Sequence, residues 1–222
     1  MTDSRAFPDR IVLAVDVCLL CVRDGRLAAV MRRRDDADVV GGDWALPGAV
    51  MSAAETPRKT ARRVVADRLG FAHHVHLEQL ATFGALDRDP RGRAVSVVYL
   101  GLSPAEPLER GVEDQPATAL VPIGDPEHSL AFDHTDILRA ATERLRGKID
   151  YTPVGLSLLP DTFTLREAQG VWEAVHGRSF SKPPFRRKLL DRDILEDTGE
   201  MERGAAFRPA KLYRAKPQAI GG

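Results

Sequence analysis

The sequence predicts an α/β (α+β) chain built as two units: a strand-and-helix unit over residues 1–150 and a smaller helix-turn-helix unit over residues 151–222. Three observations carry this. A long apolar run, IVLAVDVCLLCV from Ile11 to Val22, has the composition of a buried strand. Strand and helix patterns alternate after it as far as Arg146, and the last seventy or so residues then carry helix, turn, basic helix and hairpin in succession. At 222 residues the chain accommodates one unit of about 150 residues and one of about 70.

The apolar run opens the sheet. Cys18 and Cys21 lie within it as a lone C-x-x-C. Residues three apart on a strand point to opposite faces and no second cysteine pair exists, so both are read as buried core rather than as a redox or zinc pair. WALPG, Trp44 to Gly48, places a turn at Pro47 and Gly48, and an amphipathic helix follows it up to Gly70. Leu77 to Leu102 reads as two strands around a turn at Asp89 to Gly92. Ile137, Leu138, Ala141 and Leu145 then mark one face of a helix over Asp133 to Arg146, ending at Gly147. The next stretch, YTPVGLSLLPDTFT, is rich in Pro and Thr; it is read as the linker region, with the boundary near Asp150.

In the second unit Thr164 and Glu167 have the spacing of a capping box, and Leu165, Ala168, Trp172 and Val175 form the apolar stripe of a helix that ends near Gly177. Ser181 is placed to cap the next helix, whose first turn tolerates Pro183 and Pro184 because N–H groups there lack intrahelical partners. At 100° per residue Phe185, Leu189 and Leu190 set its buried side. Arg187 and Lys188 project nearly opposite, with Arg186 at the border. Ile194 and Leu195 begin a strand, Thr198 to Gly204 make a turn, and Ala210 to Arg214 return, with Arg203, Arg208 and Lys211 on or near the tip. This is the order of a winged helix-turn-helix, a module that lays its second helix in the major groove of DNA.

Charge supports a polyanion partner for that helix. The whole chain is formally neutral, but residues 151–222 carry 12 Lys and Arg against 9 Asp and Glu, while residues 1–150 carry 20 against 23. Arg178, Lys182, Arg186, Arg187, Lys188 and Arg192 fall within fifteen residues opposed only by Asp191, a concentrated positive stripe. No stretch reaches the 18 or so apolar residues of a membrane span, and the start, MTDSRAFPDR, has no signal-peptide core; a cytoplasmic protein with no membrane partner is expected.

The segment WALPGAVMSAAETPRKTARRVVADRLGF, Trp44 to Phe71, resembles the Nudix box, G-x5-E-x7-R-E-U-x-E-E-x-G-U with U aliphatic. Glu55, Arg63, Val65, Gly70 and Phe71 match it, whereas Ala49 replaces the opening Gly and Val64, Asp67 and Arg68 stand where three Glu belong. LEQLATFGALDRDPRGRAVSVVYLGL is similar to the corresponding part of Nudix proteins that handle ADP-ribose and related nucleotides. The resemblance implies an α/β/α sandwich with a mixed sheet. It also implies that the acidic helix face of the hydrolases, which holds Mg²⁺, is lost: a hard octahedral cation needs oxygen ligands, and one guanidinium about 4 Å away repels a unit charge by about 4 kcal/mol at an effective dielectric of 20. No catalytic residues, no bound metal and no resident cofactor are therefore expected.

Together with FTLREAQGVWEAVHGR, FRRKLLDRDILEDTGE and RPAKLYR, the pattern resembles the Nudix-related transcriptional regulators of NAD metabolism, the NrtR family. That resemblance implies a dimeric repressor of NAD synthesis or salvage genes on a palindromic double-stranded operator, with ADP-ribose or NAD as effector. The chemistry of such a nucleotide asks for Arg or Lys at the phosphates and an aromatic surface for the base. The effector candidates are Arg33, Trp44, Arg63, Phe83, Arg93, Phe132, Asp133 and His134; the DNA candidates are Lys182, Arg186, Arg187, Lys188, Arg208 and Lys211. Two other classes compete: a working Mg²⁺-dependent Nudix pyrophosphohydrolase, and a winged helix that binds protein instead of DNA.

Overall fold

The computed structural model describes residues 11–34, 42–70, 75–202 and 209–217. Phe71, Arg203 and Arg208 lie outside the described residues, as do Gly204, most of the tail from residue 218 on, and the side chain of Arg68. In chain order the elements are β1 (Val12–Arg23), β2 (Arg26–Arg33), β3 (Trp44–Ala45), β4 (Gly48–Val50), α1 (Pro57–Leu69), β5 (His76–Phe83), β6 (Ala94–Leu102), α2 (Ala105–Glu113), β7 (Thr118–Pro122) and α3 (His134–Ile149). A 3-10 helix (Pro153–Leu158) follows, then β8 (Phe163–Thr164), α4 (Leu165–His176), α5 (Lys182–Leu190), β9 (Leu195–Met201) and β10 (Lys211–Ala215).

The first sheet has the order β3-β2-β1-β6-β5, with β4 also paired to β1 and β7 to β2. β1 and β6 are parallel and their neighbours antiparallel, so the sheet is mixed. Strand alternation in β1 divides the core. Val17, Leu19 and Cys21 face Ala61, Val64 and Val65 of α1 and Leu108 of α2. Cys18 and Leu20 face Ile137, Leu138, Ala141 and Leu145 of α3. Helices thus cover both faces, an α/β/α sandwich. The two cysteines are fully buried on opposite faces, and burial pushes the Cys21 thiol up to about 12 and that of Cys18 higher still.

α3 is longer than its sequence pattern. Gly147 does not stop it, because Ile149 two residues on is fully buried against Gly155, where an added Cβ would meet Ile149 Cγ1 at 2.6 Å and Trp172 Cη2 at 2.8 Å. The stretch read as a linker likewise packs instead of spanning solvent. Thr152 caps the 3-10 helix, and Val154, Leu156, Leu158 and Leu159 are buried in the same core as Trp172, Val175, Phe185 and Leu189 of the second unit. The apolar positions of the stretch decide its fate.

In the second unit the capping box forms as spaced: Glu167 N–H donates to Thr164 Oγ1 (3.2 Å) and Thr164 N–H to Glu167 Oε2 (2.7 Å). Ser181 differs from expectation. It occupies the N-cap position of α5 without a side-chain cap bond, since the N2 and N3 residues that would donate are Pro183 and Pro184, which have no N–H. Leu190 also differs: it is 44% exposed, while Phe185 and Leu189, a turn apart, carry the buried face. Thr198 to Met201, expected in the hairpin turn, belong instead to β9. The pairing of Lys211 with Met201 and of Tyr213 with Asp197 absorbs two extra residues of β9 as a bulge. β8 adds a short third strand, giving the order β8-β10-β9. Among the described residues no helix is long and apolar enough to cross a membrane.

Candidate functional site

A cleft of about 390 Å³ opens where the start of β1, the end of β2, β4 and the loop between β5 and β6 meet the first turn of α3. Five arginines line it: Arg32, Arg33 and Arg34 from the end of β2, and Arg88 and Arg91 from the loop. Phe132 presents its ring among them, with the guanidinium carbon of Arg34 4.4 Å and that of Arg91 5.2 Å from the ring centroid. Its backbone is held at φ 57°, a conformation rare for a bulky residue and common where a structure fixes a functional side chain.

The floor of the cleft is a buried ionic network. Arg88 donates in bidentate fashion to Asp133, at 2.9 and 2.8 Å, and its Nη2 lies 3.5 Å from Asp16 Oδ2. Asp16 also accepts from Ser96 Oγ at 2.6 Å. Burial works against the charge of Arg88, but its bond to Asp133 and the nearby Asp16 outweigh it and hold the guanidinium protonated. Gly48 is glycine for a local reason: a Cβ there would stand 2.1 Å from Asp16 Oδ1. His134 accepts the Leu46 N–H at Nδ1 (3.0 Å), so the neutral ring carries its proton on Nε2, toward Asp16 3.9 Å away. Burial lowers the His134 pKa against the opposing pull of Asp16 and Asp133, and the ring is neutral at pH 7.

Of the effector candidates, Arg33, Phe132 and His134 line the cleft, and Asp133 lies beneath it and holds Arg88. The other effector candidates do not line it. Arg63 donates from Nε and Nη2 to Glu55 at 2.9 and 3.0 Å, which commits its fork to the box loop instead of the cleft. Arg93 donates to the carbonyls of Gly84, Ala85 and Ala94. Trp44 stacks against His128 with centroids 5.0 Å apart, and Phe83 packs on the core. Arg32, Arg34, Arg88, Arg91 and Asp16 were missed. One signal was available: Asp16 is the only charge in an apolar run of twelve residues, Ile11 to Val22, and a buried carboxylate demands a cationic partner.

The Nudix-like helix α1 begins at Thr56, whose Oγ1 accepts from Lys59 N–H, and ends at Gly70 with φ 69°, the left-handed cap that explains the closing glycine. A magnesium ion does not fit the donor set the described residues supply. Val64 is 3% exposed and faces the core, Asp67 pairs with Arg63 at 3.6 Å, and both oxygens of Glu55 are taken up by Arg63 and Thr60. The Arg63 bond holds the Glu55 carboxyl down at about 2. No group of three or more His, Cys, Asp or Glu side chains among the described residues is arranged to hold a metal.

On the second unit Lys182, Arg186, Arg187 and Lys188 are all exposed on α5, with Phe185 and Leu189 seating the helix against Trp172 and Phe180. Arg186 and Arg187 make no ion pair among the described residues, whereas Lys188 lies 3.6 Å from Asp150. Lys211 is ion-paired to Asp197 at 2.7 Å on the hairpin.

Comparison with known proteins agrees with both halves. Residues 10–141 match the NUDIX domain, and residues 155–215 match the NrtR DNA-binding winged helix domain. The chain is 32% identical over 206 residues to the ADPR responsive transcriptional repressor NtrR of Acinetobacter baylyi, covering 91% of this chain and 81% of that protein. Its fold is similar to Shewanella oneidensis NrtR complexed with a 27mer DNA, with a TM-score of 0.85, 32% identity, and 94% and 95% of the two chains covered. The NUDIX domain of the same Shewanella protein complexed with ADP ribose matches at a TM-score of 0.55 and 28% identity over 65% of this chain and 99% of that one. The NUDIX match, the NrtR winged helix match that follows it, and 32% identity to a repressor across 91% of the chain place this chain in the NrtR family.

Proposed function

We propose that the chain is an ADP-ribose-responsive, DNA-binding transcriptional repressor of NAD synthesis or salvage genes, with a sensing unit over residues 1–150 and a reading unit over residues 151–222. The observation that carries the reading is a cleft lined by five arginines and the Phe132 ring, with Arg88 and Arg91 held in place by Asp133 and Asp89, on a Nudix frame whose box supplies no magnesium site among the described residues. Arginine forks suit a diphosphate, and the aromatic face suits a base or ribose. Binding without the means of hydrolysis is what a sensor needs. The ADP ribose and the DNA complexed with the related Shewanella protein support the same pair of ligands here.

On the DNA side Arg187 and Lys188 are assigned to the groove, Lys182 and Arg186 to phosphate or base, and Arg208 and Lys211 to wing contacts. The protein acts as a homodimer in the cytoplasm on a palindromic operator, its half-sites a whole number of turns apart. Effector binding shifts the population between two arrangements of the reading units, and a coupling of about 1 to 3 kcal/mol changes operator affinity about 5- to 150-fold.

The test is fluorescence anisotropy of the full chain on a duplex selected by the protein from a randomised pool, at two salt concentrations, with and without ADP-ribose. The expected result is selective binding that weakens steeply with salt and that ADP-ribose changes by a factor in that range. Binding no better than to random duplex, together with Mg²⁺-dependent release of AMP from ADP-ribose, would replace the repressor with a hydrolase.

A further inference from the structure

α3 connects the two halves of this molecule physically. Its first turn carries His134 into the cleft, and the residue before it, Asp133, holds Arg88 on the cleft floor. Sixteen residues later, about 24 Å along the axis, the same helix ends at Asp150 beside the reading unit.

That end is fastened to both helices of the reader. Arg146 Nε donates to Val175 O in the last turn of α4 at 2.7 Å, and Arg192, just beyond α5, donates to Ile149 O at 3.4 Å. Asp150 stands 3.3 Å from His176 of α4 and 3.6 Å from Lys188 of α5. A carboxylate at a helix C-terminus sits against the helix dipole, so cationic partners are what favour its position there. Ile149 is fully buried in the core that continues to Trp172, Phe185 and Leu189. A shift of α3 therefore moves the seat of α5, and its most direct contact with the basic face is the pair between Asp150 and Lys188.

We propose that Asp150 is the positioning residue through which occupancy of the cleft is communicated to the DNA-reading helix, acting on Lys188 at the far end of α3. Lys188 is then shared between Asp150 and the DNA groove, and the partner it takes depends on where the effector state places the end of α3. This rests on the repressor reading above. It adds a specific residue that touches neither nucleotide nor DNA.

The experiment uses the full chain as wild type, Asp150→Asn and Asp150→Glu. For each, ADP-ribose affinity is measured by calorimetry, and affinity for the selected duplex by anisotropy with and without saturating ADP-ribose. The wild-type ratio of the two duplex affinities is the coupling factor. Asp150→Asn is expected to keep ADP-ribose affinity within about twofold while its coupling factor falls close to 1, and Asp150→Glu is expected to restore most of the factor. Lys188→Gln removes the same pair from the other side; its duplex affinity drops, but its ratio also goes close to 1. That variant keeps the test open should Asp150→Asn fold poorly. A wild-type coupling factor in Asp150→Asn overturns the role of Asp150 and leaves the repressor reading standing. A factor of 1 in the wild type, with the duplex still bound selectively, overturns the ADP-ribose response and this inference with it, and leaves the DNA-binding reading standing.

Discussion

Arg88 is the residue on which the cleft depends most. Its guanidinium is 5% exposed and joins Asp133 to Asp16, so Arg88→Ala leaves two part-buried carboxylates without their cation. Removing one partner of a buried pair costs about 3–5 kcal/mol, and chemical denaturation of the variant should show a loss of that size; a loss below about 1 kcal/mol would mean that water reaches the floor and supports the charges. Acid stability gives a second expectation at this scale. His134 has a folded pKa below its ordinary 6.5, and Glu55 one of about 2 against an ordinary 4.5. Both groups bind fewer protons folded than unfolded, so their contribution is complete above the ordinary values and is lost as pH falls, first below 6.5 and then between 4.5 and 2. His134→Asn keeps an acceptor for Leu46 N–H without titrating; its melting temperature should change less between pH 7.5 and 5.5 than that of wild type. Only part of this network was legible from the chain. His134, Phe132 and Asp133 stand together in sequence, but the partner of Asp133 is Arg88, 45 residues away, and only the fold decides which of many arginines is buried.

At the scale of elements, local chemistry was legible and pairing was not. The capping box of α4 rests on two residues three apart and formed as spaced, so Thr164→Ala should cost about 0.5–2 kcal/mol in thermal or denaturant unfolding. Ser181 looks equivalent in sequence, yet the two prolines after it remove the donors, and Ser181→Ala should fall within about 0.5 kcal/mol of wild type. Equal losses at the two sites would contradict this account of α5. Strand β8 spans only Phe163 and Thr164, too short for alternation to announce it, and exists because β10 pairs with it. The bulge in β9 was illegible for a related reason: register is set by the partner strand, so Thr198 to Met201 belong to β9 instead of the turn expected there. Leu190 was misassigned by allowing the apolar face one residue too many, where burial stops at Leu189.

For the whole molecule the decisive feature is that the two units share a core. Composition marked residues 151–164 as a connection because the stretch is rich in Pro and Thr, while Val154, Leu156, Leu158 and Leu159 bury it between α3 and α4. Two units joined by a free tether would bind two ligands independently; two units packed through one helix have a shared core through which one site can act on the other. The central claim is therefore a linkage between nucleotide and DNA, and linkage is reciprocal. The most direct measurement is calorimetric titration of ADP-ribose into the full chain alone and into the chain saturated with its selected duplex. The account predicts that the two ADP-ribose affinities differ by the same factor, and in the same direction, as the duplex affinities differ with and without nucleotide. Equal ADP-ribose affinities in the two titrations, with the duplex still bound, would contradict it.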